Sequence, residues 1–302
     1  MNGEMPESFL TRCVGLAVSL LVLIPAGCIP VKQARVAAVA LTIEDVARAA
    51  SKQSDPTIAR EGTPAYLMLL DGLIEAYPQN AQLLTAGCQA YATYASSFLP
   101  DEERQASEAI YRKAKLYGFR ALSGRGDFAQ AASGSLEGFE AFLQQYKKTD
   151  VPALFWTASA WAGWIGTDVS RVESIGDLPM LEALLKRILH VDETYQYGGG
   201  HLFMGVLAAA KPTIMGGNLA KSKLHFDRAF GLGANRLLSA KVLFAEYYAR
   251  ATRDRSLYVK TLEEVLAART DEIPELTLTN VLAKEKAKRL LEKTEEYFAQ
   301  DS

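Results

Sequence analysis

From about residue 42 onward, apolar side chains return every three or four positions, the period of helices that bury one face, and no convincing apolar–polar alternation of a strand interrupts them. The pattern predicts an all-α chain with helices over 42–52, 63–77, 80–98, 101–116, 127–147, 151–166, 178–190, 195–210, 218–230, 236–252, 255–268 and 276–299. Turn-forming stretches support the breaks: "YPQN" at 77–80, "LPDEE" at 99–103, "DVP" at 150–152, "DLP" at 177–179 and "EIPE" at 272–275. In the last segment Val281, Leu282, Leu290, Leu291, Tyr297 and Phe298 alternate with mixed charges, as expected of a terminal helix that covers the end of a helical array.

Before residue 42 the pattern is different. Arg12 precedes the uncharged run "CVGLAVSLLVLIPAG" at 13–27, which has the length of a signal-peptide core and is short for a membrane span. The run ends in "PAGC", which resembles a bacterial lipobox with Pro25 in the place usual for leucine. Residues 1–27 are therefore expected to leave as a lipoprotein signal peptide, with acylated Cys28 opening a tether over 28–41 and a single α-helical repeat domain over 42–302. Acyl chains hold a protein to a bilayer at roughly 0.8 kcal/mol per buried CH₂, so the expectation is a lipid-anchored periplasmic protein. Ile29 is not the aspartate associated with inner-membrane retention, which favours the outer membrane. Cys13 leaves with the signal and Cys28 is acylated. Cys88, among alanines in "LLTAGCQAYATYA", is then a lone thiol read as core.

Many antiparallel helix pairs in one chain call for a repeat search. Tyr91, Tyr94, Ala95 and Phe98, followed by Ser107, Tyr111 and Ala114, fall at the spacing of a tetratricopeptide repeat, whose small residues let paired helices approach closely. His201, Met204, Gly205 and Ala208 before Ser222, Phe226 and Ala229 repeat the pattern across a longer connection that holds Pro212, Gly216 and Gly217. A weaker echo joins Phe244, Ala245 and Tyr248 to Tyr258, Leu262 and Val265. The fold expected is a helical array of antiparallel helix pairs, divergent tetratricopeptide-like repeats, of the kind whose inner face binds another chain.

Composition narrows the chemistry. The 302 residues are 49% hydrophobic and carry 33 basic against 35 acidic side chains, a net charge of −2 that excludes the basic field of a nucleic-acid binder. "GGGHLFMG" at 198–205 lacks the G-x-G-x-x-G spacing and the preceding strand of a dinucleotide loop. His190, His201 and His225 lack metal-ligand spacing, and "ASGSLEG" at 132–138 lacks a nucleophile elbow. No metal, cofactor or catalytic residue is expected. Gly198, Gly199, Gly200, Pro212, Gly216 and Gly217 read as a structural joint between two helices, with His201 at its edge. In "FWTASAWAGWI" at 155–165, Trp161 and Trp164 share a helical face as core or as the wall of an apolar channel, and Tyr248 raises the same question.

"YGGGHLFMGVLAAAKP", "MGGNLAKSKLHFDRAF" and "AEYYAR" followed by "DRSLYVKTLEEVL" resemble the T component associated with bacterial tripartite ATP-independent periplasmic (TRAP) transporters, the TatT-like tetratricopeptide lipoproteins. The similarity is densest over 195–266. The resemblance implies a periplasmic lipoprotein that associates with the transporter's substrate-binding protein, handles hydrophobic small molecules, is not an enzyme, and forms a homo-oligomer such as a trimer. It makes His201, Tyr197, Phe203, Trp161, Trp164 and Tyr248 the candidates for facing ligand or partner. Two other readings stand beside it: a tetratricopeptide scaffold lipoprotein for cell-envelope assembly, and an exported helical hydrolase, which would need Ser and acid groups gathered on His201 or His225. In cells fed radiolabelled palmitate, the wild-type chain is expected to take up label and Cys28→Ala to take up none; equal labelling of both would remove the anchor.

Overall fold

Side-chain caps set where several helices of this chain begin. In the computed structural model, which describes residues 42–99 and 104–299, a helical segment over 42–51 is followed by α1 (Pro56–Ala76), α2 (Ala81–Phe98), α3 (Arg104–Leu122), α4 (Phe128–Ala132), α5 (Leu136–Leu143), α6 (Val151–Thr167), α7 (Val172–Asp192), α8 (Tyr195–Ala210), α9 (Leu219–Gly231), α10 (Leu238–Leu243), α11 (Arg255–Ala267), α12 (Thr277–Glu292) and α13 (Thr294–Phe298). The described residues are all-α, with no strand, and belong to one compact unit that starts at Thr42. Cys28 and the expected signal and tether lie outside them.

Several boundaries move from the sequence-based expectation, each for a local reason. Asp55 accepts from the Thr57 and Ile58 backbone N–H groups at 2.8 and 3.3 Å, and Pro56 occupies the first turn, so α1 opens well before residue 63. The "DLP" stretch is no break, because α7 runs through Pro179 as α1 runs through Pro64. In both cases the residue four positions earlier, Ile175 or Arg60, is exposed, and water can satisfy the carbonyl that proline leaves without a donor. The single helix expected over 127–147 is instead α4 and α5: Asp127 caps the first on the Gln130 N–H at 2.9 Å, and Ser135 caps the second on the Gly138 N–H at 3.1 Å. After α10 the chain widens into a π-helical turn over Phe244–Ala249, which brings the rings of Phe244 and Tyr248 into a stack at 5.0 Å.

Among helices adjacent in sequence, α2 with α3 and α8 with α9 are the most extensively packed pairs, and α6 lies across both α2 and α3. The pairs are not equivalent. Phe226 of α9 sits over Gly205 of its own partner, α8, whereas the Tyr111 ring of α3 sits over Gly163 of α6. Aromatic edges fill the space between α3 and α7: Phe119 meets Phe128 and Trp161 at 5.0 Å, and Phe139 meets Phe128 at 5.4 Å. Farther along, Tyr258, Leu262 and Val265 are fully buried against α12 and Phe298. Cys88 is buried and free, and burial pushes its thiol pKa far up, as a core thiol requires.

Two aspartates each tie three helices together. Asp71 on α1 accepts from Tyr91 on α2 at 2.6 Å and from Lys113 and Tyr117 on α3 at 2.5 and 2.7 Å. Partial burial pushes its carboxyl pKa up, but those three donors outweigh it and the net shift is down. Asp177 on α7 accepts from Lys115 on α3 at 2.8 Å and from the indole of buried Trp161 on α6 at 2.5 Å. Burial lowers the Lys115 ammonium pKa in spite of Asp177, so the pair holds a cation in a place that disfavours charge. Asp177→Ala is expected to cost about 2–4 kcal/mol in urea unfolding, since it strands Lys115. Adding Lys115→Met should recover at least about 1 kcal/mol of that loss; simple additivity of the two changes would show that the pair is not coupled.

Candidate functional site at the joint of α8 and α9

The glycine cluster begins with an unusual backbone. Gln196, Tyr197 and Gly198 have φ of 49°, 56° and 78°, one left-handed turn at the start of α8. For the two non-glycine residues this conformation costs about 1–2 kcal/mol each, so tertiary contacts must hold it. Gly198 provides the contact: a Cβ there would stand 3.2 Å from the Ala229 backbone and from Leu232, so the turn rests against the end of α9. Tyr197 is half-buried, its ring 3.6 Å from where a Cβ on Gly233 would stand.

The other glycines allow close approach. Gly199 lies under Phe155 of α6 and Gly200 beside Leu189 of α7. After α8 ends at Ala210, Lys211 and Pro212 lead into a short 3₁₀ turn, Thr213–Met215, and Gly216 reverses the chain with φ 85°. At Gly217 a Cβ would fall 1.9 Å from the Lys211 carbonyl oxygen. Asn218 then caps α9 on the Lys221 N–H at 2.9 Å. The connection is exposed, with Ile214 almost fully so at 96%.

His201 sits one residue past the glycines and joins a chain of polar groups. Its Nδ1 lies 2.9 Å from Nδ1 of His225 on α9, and its Nε2 lies 3.1 Å from a carboxylate oxygen of Glu193. Arg228 on α9 grips the same carboxylate with two nitrogens, Nε at 3.1 Å and Nη2 closer. Arg228, then His201, hold the Glu193 pKa down to about 2. Nearby, Glu182 on α7 takes Lys211 at 2.7 Å and Lys186 at 3.0 Å; burial pushes its pKa up, and the two lysines bring it below the usual carboxylate range. No serine is bonded to either histidine among the described residues. The nearby Ser222 hydroxyl donates to the Gly205 carbonyl at 2.8 Å, which is not the arrangement of a nucleophile and its base.

A family model described as the TRAP transporter T-component matches residues 52–298. The chain belongs to this family. A search of curated proteins found no match to this T-component. The family is a transporter component rather than an enzyme family, and membership associates the T-component with a TRAP transporter. No helix among its described residues is long and apolar enough to cross a membrane.

The aromatic candidates of this T-component fall in separate places. Trp161 is 1% exposed and belongs to the core. Trp164 is half-buried between the Lys115 ammonium at 4.2 Å and the Arg171 guanidinium at 4.8 Å from its ring. Phe203 packs on Phe155 at 5.6 Å and ties α8 to α6. Tyr248 stacks on Phe244 in the π-helical turn. Two clefts, of about 620 and 310 Å³, are lined by Glu246, Tyr247, Arg250 and Tyr297 and by Glu140, Lys186, Arg187 and His190 respectively, and none of the six candidates lines either. Sequence reasoning missed Glu193 and Arg228: Glu193 precedes α8, and Arg228 reaches it only because α9 folds back.

Opposite signs are expected for two glycine changes inside helices, one at the joint and one on α7. In Gly205→Ala the new methyl meets the Phe226 ring, whose atoms lie 2.9 Å from the ideal Cβ, and the expected loss is about 1–3 kcal/mol. In Gly176→Ala, where the Cβ meets nothing within 4 Å, helix preference is expected to add about 0.5–1 kcal/mol. Urea unfolding of both variants checks the pair; a neutral Gly205→Ala would show that the α8–α9 contact is loose.

Proposed function

We propose that this T-component is a lipid-anchored, periplasmic and non-enzymatic helper that binds the substrate-binding protein of its TRAP transporter and assists uptake of hydrophobic small molecules. The family match over 52–298 carries the reading. Helix pairs joined by exposed connections agree with a binding scaffold, and stacked divergent tetratricopeptide-like repeats are the architecture we assign to them. Anchoring through Cys28, retention at the outer membrane, and assembly into a homo-oligomer such as a trimer belong to the same proposal. The exposed Ile214 connection between α8 and α9 is the surface we assign to partner contact.

The test is co-purification of the detergent-solubilised full-length chain with a periplasmic TRAP substrate-binding protein from the same organism. A stable complex at micromolar concentration, weakened by Ile214→Asp without loss of helical signal, is the expected result. Absence of any complex at that concentration would defeat the partnership. An intact complex with Ile214→Asp would move the contact elsewhere on the T-component.

A further inference from the structure

The two joint histidines are arranged so that their total proton count is limited. His201 Nε2 faces the Glu193 carboxylate, so that nitrogen carries a proton and donates it. In the neutral ring Nδ1 of His201 is then bare, and it accepts the Nδ1–H of His225 across 2.9 Å. One added proton leaves this contact whole: whichever ring is charged, a single N–H still lies between the two Nδ1 atoms. A second added proton puts an N–H on each, pointing at the other, and the rings must part.

We propose that the His201–His225 pair is a proton-operated latch, which holds α9 against α8 while the pair carries at most one extra proton and releases it when both rings are charged. What the latch holds is strained. The left-handed turn at 196–198 stands immediately before His201 and rests, through Gly198, on Ala229 and Leu232 at the end of α9. Lifting α9 removes that support and lets the turn relax, so the exposed 211–218 connection moves with it. The reading concerns the fold itself and stands whether or not the substrate-binding protein is the partner.

The charged groups around the pair are accounted for from each side. Glu193, before α8, faces His201 and is shared with Arg228 of α9. On α7, Glu182 favours a proton on His225 but is itself paired with Lys211 and Lys186. On α9, Lys221 opposes that proton, as does His201 across the contact. Burial opposes it most, and the net effect holds the His225 pKa below the usual histidine range. The sign follows. The opened form, with its rings in water, takes the second proton near pH 6.5, whereas the closed form refuses it until lower pH. The closed form is thus at full strength above about pH 6.5, and its closed-to-open ratio falls about tenfold for each pH unit below that, until His225 titrates in place.

Amide hydrogen exchange of the detergent-solubilised full-length chain, corrected for the intrinsic pH dependence of exchange, tests the latch. Peptides spanning 195–231 are expected to lose about tenfold of their protection between pH 7.5 and 5.5, while peptides from α1 and α2 keep theirs. His225→Asn leaves an amide N–H at the Nδ1 position for His201 Nδ1 but takes no proton, so it should keep protection at pH 7.5 and lose the pH response. An equal pH response in His225→Asn would overturn the proposal. Histidine ring NMR of the wild-type chain provides a readout that needs no variant: a state with the His201 and His225 rings both charged while 195–231 keeps its protection would overturn it as well.

Discussion

Helices in this protein come close together where an aromatic ring of one lies over a glycine of another, and the rest of the packing depends on that contact. An ideal Cβ on Gly87 would stand 2.9 Å from the Tyr117 ring, on Gly163 2.1 Å from Tyr111, on Gly199 2.7 Å from Phe155, and on Gly205 2.9 Å from Phe226. Each ring fills the space a side chain would have taken, so the helix axes can approach without leaving a void. The aspartate locks then act at a separation already set. Asp71 and Asp177 reach donors on two other helices each because those helices are close enough for short side chains to span them.

At the joint of α8 and α9 the same principle has a cost. Seating Phe226 on Gly205 and Gly198 on Ala229 brings α9 back along α8, and the chain achieves this with a left-handed turn that includes two residues with side chains. Strain of this kind persists only where surrounding contacts over-determine it. Here the contacts are the polar chain from Arg228 through Glu193 and His201 to His225. The strained backbone and the titratable pair that restrains it thus sit together in the first half of α8, while the exposed connection that carries Ile214 lies at the other end of the α8–α9 pair.

Helical period made the class legible, and turn residues located most of the breaks. Boundaries were lost where a cap or an exposed turn of helix outweighed the pattern: Asp55 drew α1 forward, Ser135 divided α4 from α5, and α7 tolerates Pro179 because Ile175, whose carbonyl loses its donor, is exposed to water. The joint was legible as a place, from Gly198 to Gly217, but its chemistry was not. Glycines suggest positive φ; here Gln196 and Tyr197 share it, and no local rule assigns that to them. His201 and His225 are 24 positions apart and meet only because α9 folds back on α8.

By itself, then, the sequence determined the helices, the small and aromatic positions along them, and the family to which the chain belongs, because these are written in local spacing and in ordered motifs. Tertiary structure decided which helix each ring would choose. Tyr111 and Phe226 occupy matching places in the repeat pattern, yet one lies on α6 and the other on its own partner α8. Tertiary structure also turned two unrelated histidines into one proton-sharing pair. The reason is physical: helix periodicity says which face of a helix is buried, whereas the choice of neighbour depends on how all the faces pack at once.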